Sequence, residues 1–293
     1  MAESLRSWFA GRILAIATMH QKEKAIAPLL TERLGVEVMI PQGFNTDQFG
    51  TFTRDIKRRG TQIETARQKI EAVLQLTGAD LAIASEGSFC PHPSLPWITC
   101  DREILVLRDQ KHNLEFLGQI ISEKVNHQYQ TMKDWPSVLA FAEQVGFPQQ
   151  GLVMMATPHS TDSQEIFKEI FKGITQESEL KHAFETLMAR STTGEIHLET
   201  DLRALFNPTR MQVIAETTQA LIQILEKSCP QCACPGFSVT RQQPGLPCGW
   251  CSTPTSLILF ELYECQRCQF SEERYFPQQM QVADPAYCGF CNP

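Results

Sequence analysis

Residues 12–40, RILAIATMHQKEKAIAPLLTERLGVEVMI, decide the fold. RILAIA at 12–17 is a short apolar run suited to a buried strand. After a polar turn, KEKAIAPLLTERLG reads as a helix that Gly35 can close, because a left-handed C-terminal residue costs glycine least. VEVMI at 36–40 is a second strand. Past a loop of Gly, Asn, Thr and Asp, the pattern predicts a helix around Ile63 to Leu76 ending near Gly78, then a third strand, DLAIAS, at 80–85. REILVLRD at 102–109 and LEFLGQIIS at 114–122 read as a hairpin added to that sheet, turning near His112 and Asn113. Strand, helix, strand, helix, strand and hairpin imply an α/β domain with a mixed twisted sheet and flanking helices.

The remainder is less regular. From about 123 to 227 the spacing of apolar residues reads mostly helical: DWPSVLAFAEQVG starting at Asp134, SQEIFKEIFKGI, and ELKHAFETLMAR. GLVMMA at 151–156 is expected to return a strand to the sheet. Asn207 followed by Pro208 gives an N-cap and first helical residue for a helix reaching Lys227. That leaves Glu199, Asp201, Arg203 and Arg210. Acids separated by a single residue on a strand share a face, and a cation near a helix N-terminus works against the dipole. They suit either a salt-bridged core network or acid and phosphate contacts to a cleft.

Nine of the eleven cysteines fall in the last 65 or so residues, eight of them in four Cys-x-x-Cys pairs: Cys229/Cys232, Cys248/Cys251, Cys265/Cys268 and Cys288/Cys291. Each such turn points two thiolates at one metal, and two turns complete a tetrahedron with no open position, so the pattern predicts two structural zinc ions in a double zinc ribbon. Pairing the first turn with the second and the third with the fourth leaves gaps of 15 and 19 residues, within the ribbon range; nested and crossed pairings remain open. Cys234 is a spare thiol. The expected division is therefore an α/β domain with helical additions at 1–227 and the zinc module at 228–293.

The chain has 293 residues, 42% hydrophobic and 20% charged, a soluble globular composition with no apolar run long enough to span a membrane. Metal-ligand cysteine spacing and the lack of an export signal point to the cytoplasm. The net charge of −7 disfavours a broad phosphate-backbone footprint. The module itself has three arginines (Arg241, Arg267, Arg274) against five carboxylates, so its apolar and aromatic residues suit the rest of the chain or a protein partner better than nucleic acid.

In α/β sheets, ligands gather beyond the carboxyl ends of the strands. Here those positions hold Thr18, Met19, His20, Gln21 and Lys22, leading into a helix N-terminus that favours anions, and SEGSFCPHP, where Glu86 stands beside Gly87. Glu64 opens the intervening helix, IETARQKIEAV, with Lys69 five residues on. Two acids and a lysine suit Mg and a polyphosphate. Each residue also has a plain structural reading: Glu64 and Lys69 as solvated helix charges, Lys22 as a first-turn residue, His20 and His92 as turn histidines. Arg54, Lys57, Arg58 and Arg59 read as a solvated basic face bordering the same region.

The combination resembles the inosine triphosphate pyrophosphatase superfamily over residues 12 to 122. Ala17 to Lys22 is similar to that family's phosphate-binding turn, Glu64, Thr65, Ala66 and Lys69 to its Glu-Asn-Ala-x-x-Lys helix, and Ser85, Glu86, Gly87 and Ser88 to its acidic strand end. The resemblance implies attack of water on a nucleoside triphosphate held by Mg, with Glu64 and Glu86 on the metal and Lys22 on the phosphates. Thr18, Lys69 and Ser88 are then expected to contact the ligand, joined by Asp201, Arg203 and Arg210. The whole chain, through GTFT, SEGSF, HP, ETD-x-R, NPTRM and the closing CNP, resembles a bacterial family known only as a domain of unknown function. The alternative expectation is a non-catalytic nucleotide- or ligand-binding protein whose ribbon recruits a protein or nucleic-acid partner.

Overall fold

A computed structural model describes residues 2–49, 60–156 and 170–292. The basic segment with Arg54, Lys57, Arg58 and Arg59 lies outside the described residues, as do 163–169 of SQEIFKEIFKGI. After a short helix α1 (Ala2–Phe9) come β1 (Ile13–Ala17), α2 (Glu23–Leu34), β2 (Glu37–Met39), α3 (Gln62–Thr77), β3 (Leu81–Pro91), β4 (Thr99–Asp109) and β5 (Leu114–Ser122). They build one mixed sheet in the order β2-β1-β3-β4-β5, parallel across the first three strands and antiparallel beyond.

The two faces of this sheet are chemically distinct because the strands alternate large and small residues. Leu14, Ile16, Leu81, Ile83, Leu105 and Leu107 face one way, onto Ile26, Leu30 and Leu34 of α2 and Ile214, Leu221 and Leu225 of a later helix, α6 (Pro208–Leu225). Ala15, Ala17, Ala82 and Ala84 face the other way, where α3 lays Ala66, Ile70 and Val73 against them. Both faces being covered, the parallel strands carry continuous apolar runs instead of a polar side. Gly35 (φ 72°) and Gly78 (φ 68°) end α2 and α3 in the left-handed conformation, as expected.

The middle segment departs from its expected helical character. It forms a second sheet of four antiparallel strands in the order β6-β9-β7-β8: β6 (Tyr129–Met132), β7 (Leu152–Ala156), β8 (Ile170–Ile174) and β9 (Ile196–Thr200). The helices α4 (Trp135–Val145) and α5 (Glu177–Arg190) close its own apolar core. GLVMMA thus becomes β7, in the middle of this second sheet and not in the first. IFKGI, with apolar spacing suited to a helix, is held as β8 by pairing Ile170 and Phe171 with Met155 and Met154. Tertiary pairing overrides local spacing there.

The C-terminal segment adds three antiparallel strands, β10 (Ser238–Pro244), β11 (Ile258–Glu264) and β12 (Ser271–Tyr275). Cys229, Cys234, Phe237 and Cys265 are buried in the same cluster as α1, α2, α6 and β5. The first part of the module therefore shares the core of the α/β sheet. No described helix is long and apolar enough to cross a membrane.

Candidate functional site

Beyond the carboxyl ends of β1 and β3 the apolar alternation gives way to charge. The connection through α2 leaves β1 toward β2 and that through α3 returns to β3 on the other side, so this is the point where the strand order reverses and a crevice opens. Lys22, at the start of α2, is buried, and its Nζ donates to the Ser85 carbonyl at 3.2 Å and the Ser85 Oγ at 2.9 Å. On the α3 face Lys69 and Glu86 form a buried ion pair. On the α2 and α6 face Arg210 donates from Nε to Glu103 Oε1 at 2.5 Å and from Nη1 to the Leu202 carbonyl at 2.7 Å.

The β3–β4 register explains the convergence. Gly87 stands opposite Glu103 and Phe89 opposite Asp101, so Asp101 and Glu103 continue the face of Leu105 and Leu107 into the polar layer. A Cβ at Gly87 would fall on the Glu103 carboxylate and the Arg210 guanidinium, which is why the smallest residue occupies this position. Asp101 and Glu103 are fully buried. Neither oxygen of Asp101, nor Oε2 of Glu103, has a hydrogen-bond partner among the described residues.

The electrostatics follow. Burial pushes the Asp101 carboxyl up to about 7, and the Glu103 charge adds to that. Burial, with the Arg210 charge, brings Lys22 down to about 8. Since folded Asp101 holds its proton up to about pH 7 while the unfolded residue loses it near the ordinary 3.8, native stability falls as pH rises between those values and stays reduced above. Asp101→Asn is accordingly expected to stabilise the metal-free protein by about 2 kcal/mol or more at pH 8, the gain shrinking to nothing near pH 4. Urea denaturation at the two pH values checks this. A purely structural aspartate would give destabilisation instead.

The residues expected from the sequence divide into two groups. Lys22, Lys69, Glu86 and Arg210 meet at this cluster. Thr18 is buried, its Oγ1 has no hydrogen-bond partner among the described residues, and it lines an adjoining open cleft of about 440 Å³ with Met19, Gln21, Ile40 and Phe44. Ser88 is half-buried on β3, opposite Arg102. Glu64 is exposed and completes a capping box: its Oε2 accepts the Thr61 N–H at 2.8 Å and the Thr61 hydroxyl at 3.0 Å, which lowers its carboxyl pKa, while Thr61 Oγ1 accepts the Glu64 N–H at 3.2 Å. Asp201 accepts from Arg203 Nη2 at 2.6 Å and from the Gly173 N–H at 3.1 Å, with the Arg203 guanidinium over the Phe206 ring. That pair braces the second sheet, and Asn207 caps α6 as expected, accepting the Arg210 N–H at 3.0 Å. Sequence reading missed Asp101 and Glu103. The available signal was the shared face of residues 101, 103, 105 and 107.

The eight paired cysteines gather into two groups of four, each able to hold a metal ion: Cys229, Cys232, Cys265 and Cys268, and Cys248, Cys251, Cys288 and Cys291. The pairing is crossed, first turn with third and second with fourth, not sequential. Strand register imposes it. Ser238 at the start of β10 lies beside Glu264 at the end of β11, which brings the turns before β10 and after β11 together. The other two turns meet at the opposite end. Cys234 is not a ligand; it is fully buried, and burial pushes its thiol up to about 12.

No curated protein matches the chain. Among solved structures it is similar to the crystal structure of protein VC0702 from Vibrio cholerae, at 10% identity and a TM-score of 0.32 over 73% of this chain and 94% of that one. A family profile described as "Domain of unknown function (DUF6671)" matches residues 69–293, which span Lys69, Glu86, Asp101, Glu103, Arg210 and all eight metal-site cysteines. The chain therefore belongs to the DUF6671 family.

Proposed function

We propose that the protein is a Mg-dependent nucleoside triphosphate pyrophosphohydrolase whose C-terminal module holds two structural zinc ions. The observation that carries the enzymatic reading is the buried cluster at the strand-order reversal. Three cations, Lys22, Lys69 and Arg210, surround three carboxylates, and the oxygens of Asp101 and one of Glu103 are desolvated without a hydrogen-bond partner among the described residues. A buried carboxylate left in this state costs stability, and hard oxygen donors of this kind suit Mg.

In this reading Asp101 and Glu103 would hold the metal in place of Glu64, which the helix cap occupies. Mg, when bound, neutralises charge on the phosphate oxygens. Lys22, two of whose N–H groups go to Ser85, directs the third at a phosphate oxygen. Glu86, oriented by Lys69, positions the attacking water. Arg210 holds Glu103 in place, and the cleft beside Thr18 receives the nucleoside.

The zinc assignment rests on sulfur geometry. Zinc–sulfur bonds of about 2.3 Å in a tetrahedron require sulfurs about 3.8 Å apart. The Sγ atoms of Cys229 and Cys268 are 3.7 Å apart, those of Cys232 and Cys265 3.6 Å, those of Cys248 and Cys291 3.8 Å, and those of Cys251 and Cys288 3.7 Å. Four thiolates with no open position make both sites structural. Reduced zinc thiolates also fit a cytoplasmic location.

One observation favours a non-catalytic ligand-binding reading: Glu86 is already engaged by Lys69. Variants separate the two. In the enzyme, Lys22→Met and Glu86→Gln lower pyrophosphate release at least about 100-fold, the scale of a lost charge-stabilising or water-positioning group. Glu64→Gln leaves release near the wild-type rate, since the glutamine oxygen still accepts from Thr61. A Glu64→Gln enzyme as inactive as Glu86→Gln would remove Glu64 from its structural role. A binding protein would bind the Mg nucleotide without releasing pyrophosphate.

A further inference from the structure

The two cysteine clusters differ in what they display. In the cluster embedded in the core, the turns read Cys229-Pro230-Gln231-Cys232 and Cys265-Gln266-Arg267-Cys268, with polar or proline residues between the ligands. In the distal cluster they read Cys248-Gly249-Trp250-Cys251 and Cys288-Gly289-Phe290-Cys291, both glycine then aromatic. Trp250 is 80% exposed and Phe290 76%. Because the two turns close around the same four sulfurs, these rings flank one metal site. Tyr287 and Val282 are exposed as well, and Val282 packs beside Gly249, whose N–H donates to the Ala283 carbonyl at 3.0 Å.

None of the four distal cysteines belongs to the core cluster that takes in Cys229 and Cys265. Trp250 and Phe290 lie outside that core, and two large exposed rings on the turns of one cysteine cluster mark a recognition surface. Charge decides what it recognises. Residues 242–260 and 275–292 hold no lysine or arginine and a single carboxylate, Asp284. A divalent ion bound by four thiolates adds about two further negative charges. This surface repels a phosphate backbone and attracts cations, which aromatic rings bind well.

We infer that the distal zinc lobe is a docking site for a protein segment carrying arginine or lysine among apolar residues, with Trp250 and Phe290 as its anchors. The inference is independent of the reading of the α/β cluster. The test uses the full-length chain, loaded with two zinc ions, on an array of short peptides in which arginine or lysine accompanies leucine, isoleucine or phenylalanine. Matched acidic peptides and a thymidine oligonucleotide are the comparisons. Cationic apolar peptides should bind saturably and the comparisons should not. Trp250→Ser with Phe290→Ser should weaken that binding at least about tenfold at unchanged zinc content. Trp97→Ser, which removes an equally exposed ring on the β3–β4 connection, should leave it intact. Absence of binding by every cationic peptide, binding that survives the double substitution, or stronger binding of the oligonucleotide or the acidic peptides would overturn the proposal.

Discussion

Cys265→Ser is expected to abolish folding of the α/β domain, whereas Cys288→Ser is expected to leave it intact. Both substitutions remove one of four thiolates from a cluster able to hold a metal ion, and the chemistry of loss is the same. The context differs. Cys265 is buried with Cys229, Cys234 and Phe237 among residues of α1, α2, β5 and α6, and Gly236 lets the chain pass against Phe116 of β5. Releasing that metal opens the main core. Structural zinc contributes about 10–16 kcal/mol in small domains, against a total stability of about 5–15 kcal/mol for an ordinary fold. Cys288 belongs to the distal cluster, so its loss frees only the lobe around Trp250 and Phe290. Near-UV circular dichroism and urea denaturation of the two variants measure the difference. Equal loss of structure in both would show that the distal cluster also holds up the core.

Arg210→Met is expected to destabilise the protein by about 3–5 kcal/mol, because it leaves the buried Glu103 carboxylate without the guanidinium hydrogen-bonded to it. Adding Glu103→Leu should recover most of the loss, since an apolar pair of similar volume carries no desolvation penalty. The surroundings sharpen the expectation: Arg210 is only 2% exposed, and its Nη1 also satisfies the Leu202 carbonyl beyond β9. A double-mutant cycle from denaturation midpoints isolates the pair. Additive losses would mean that Glu103 is held by something other than Arg210. Asp101 sits in the same cluster but has the opposite expected sign, with Asp101→Asn stabilising. Opposite signs at neighbouring buried charges mark Arg210 as structural support and Asp101 as a residue kept at a cost in stability.

What could be read in the sequence was local. RILAIA, the Gly35 and Gly78 caps and Asn207-Pro208 each announce themselves within a few residues, and each holds in the structure. Arg210 was visible as a cation on the wrong end of a helix dipole, and its partner explains the cost. Asp101 and Glu103 were not found, because acids that precede an apolar strand read as its solvated end unless the face they share with Leu105 and Leu107 is followed across the hairpin. Glu64 has the same local signature whether it caps a helix or binds a metal; only the position of Thr61 separates the two. IFKGI has helix-like spacing and becomes a strand through contacts with β7, which lies outside any local window. The crossed cysteine pairing depends on the β10–β11 register, a property of topology that the spacing of the turns does not carry.

The activity proposed for the buried cluster at the ends of β1 and β3 is hydrolysis of nucleoside triphosphates. It is tested most directly by following pyrophosphate release from canonical and deaminated nucleoside triphosphates by the full-length, zinc-loaded protein, with and without Mg. The account expects Mg-dependent release of pyrophosphate from at least one of them, lost in Glu86→Gln and Lys22→Met while those variants remain folded. Folded, zinc-loaded protein that releases no pyrophosphate from any of these substrates would contradict it.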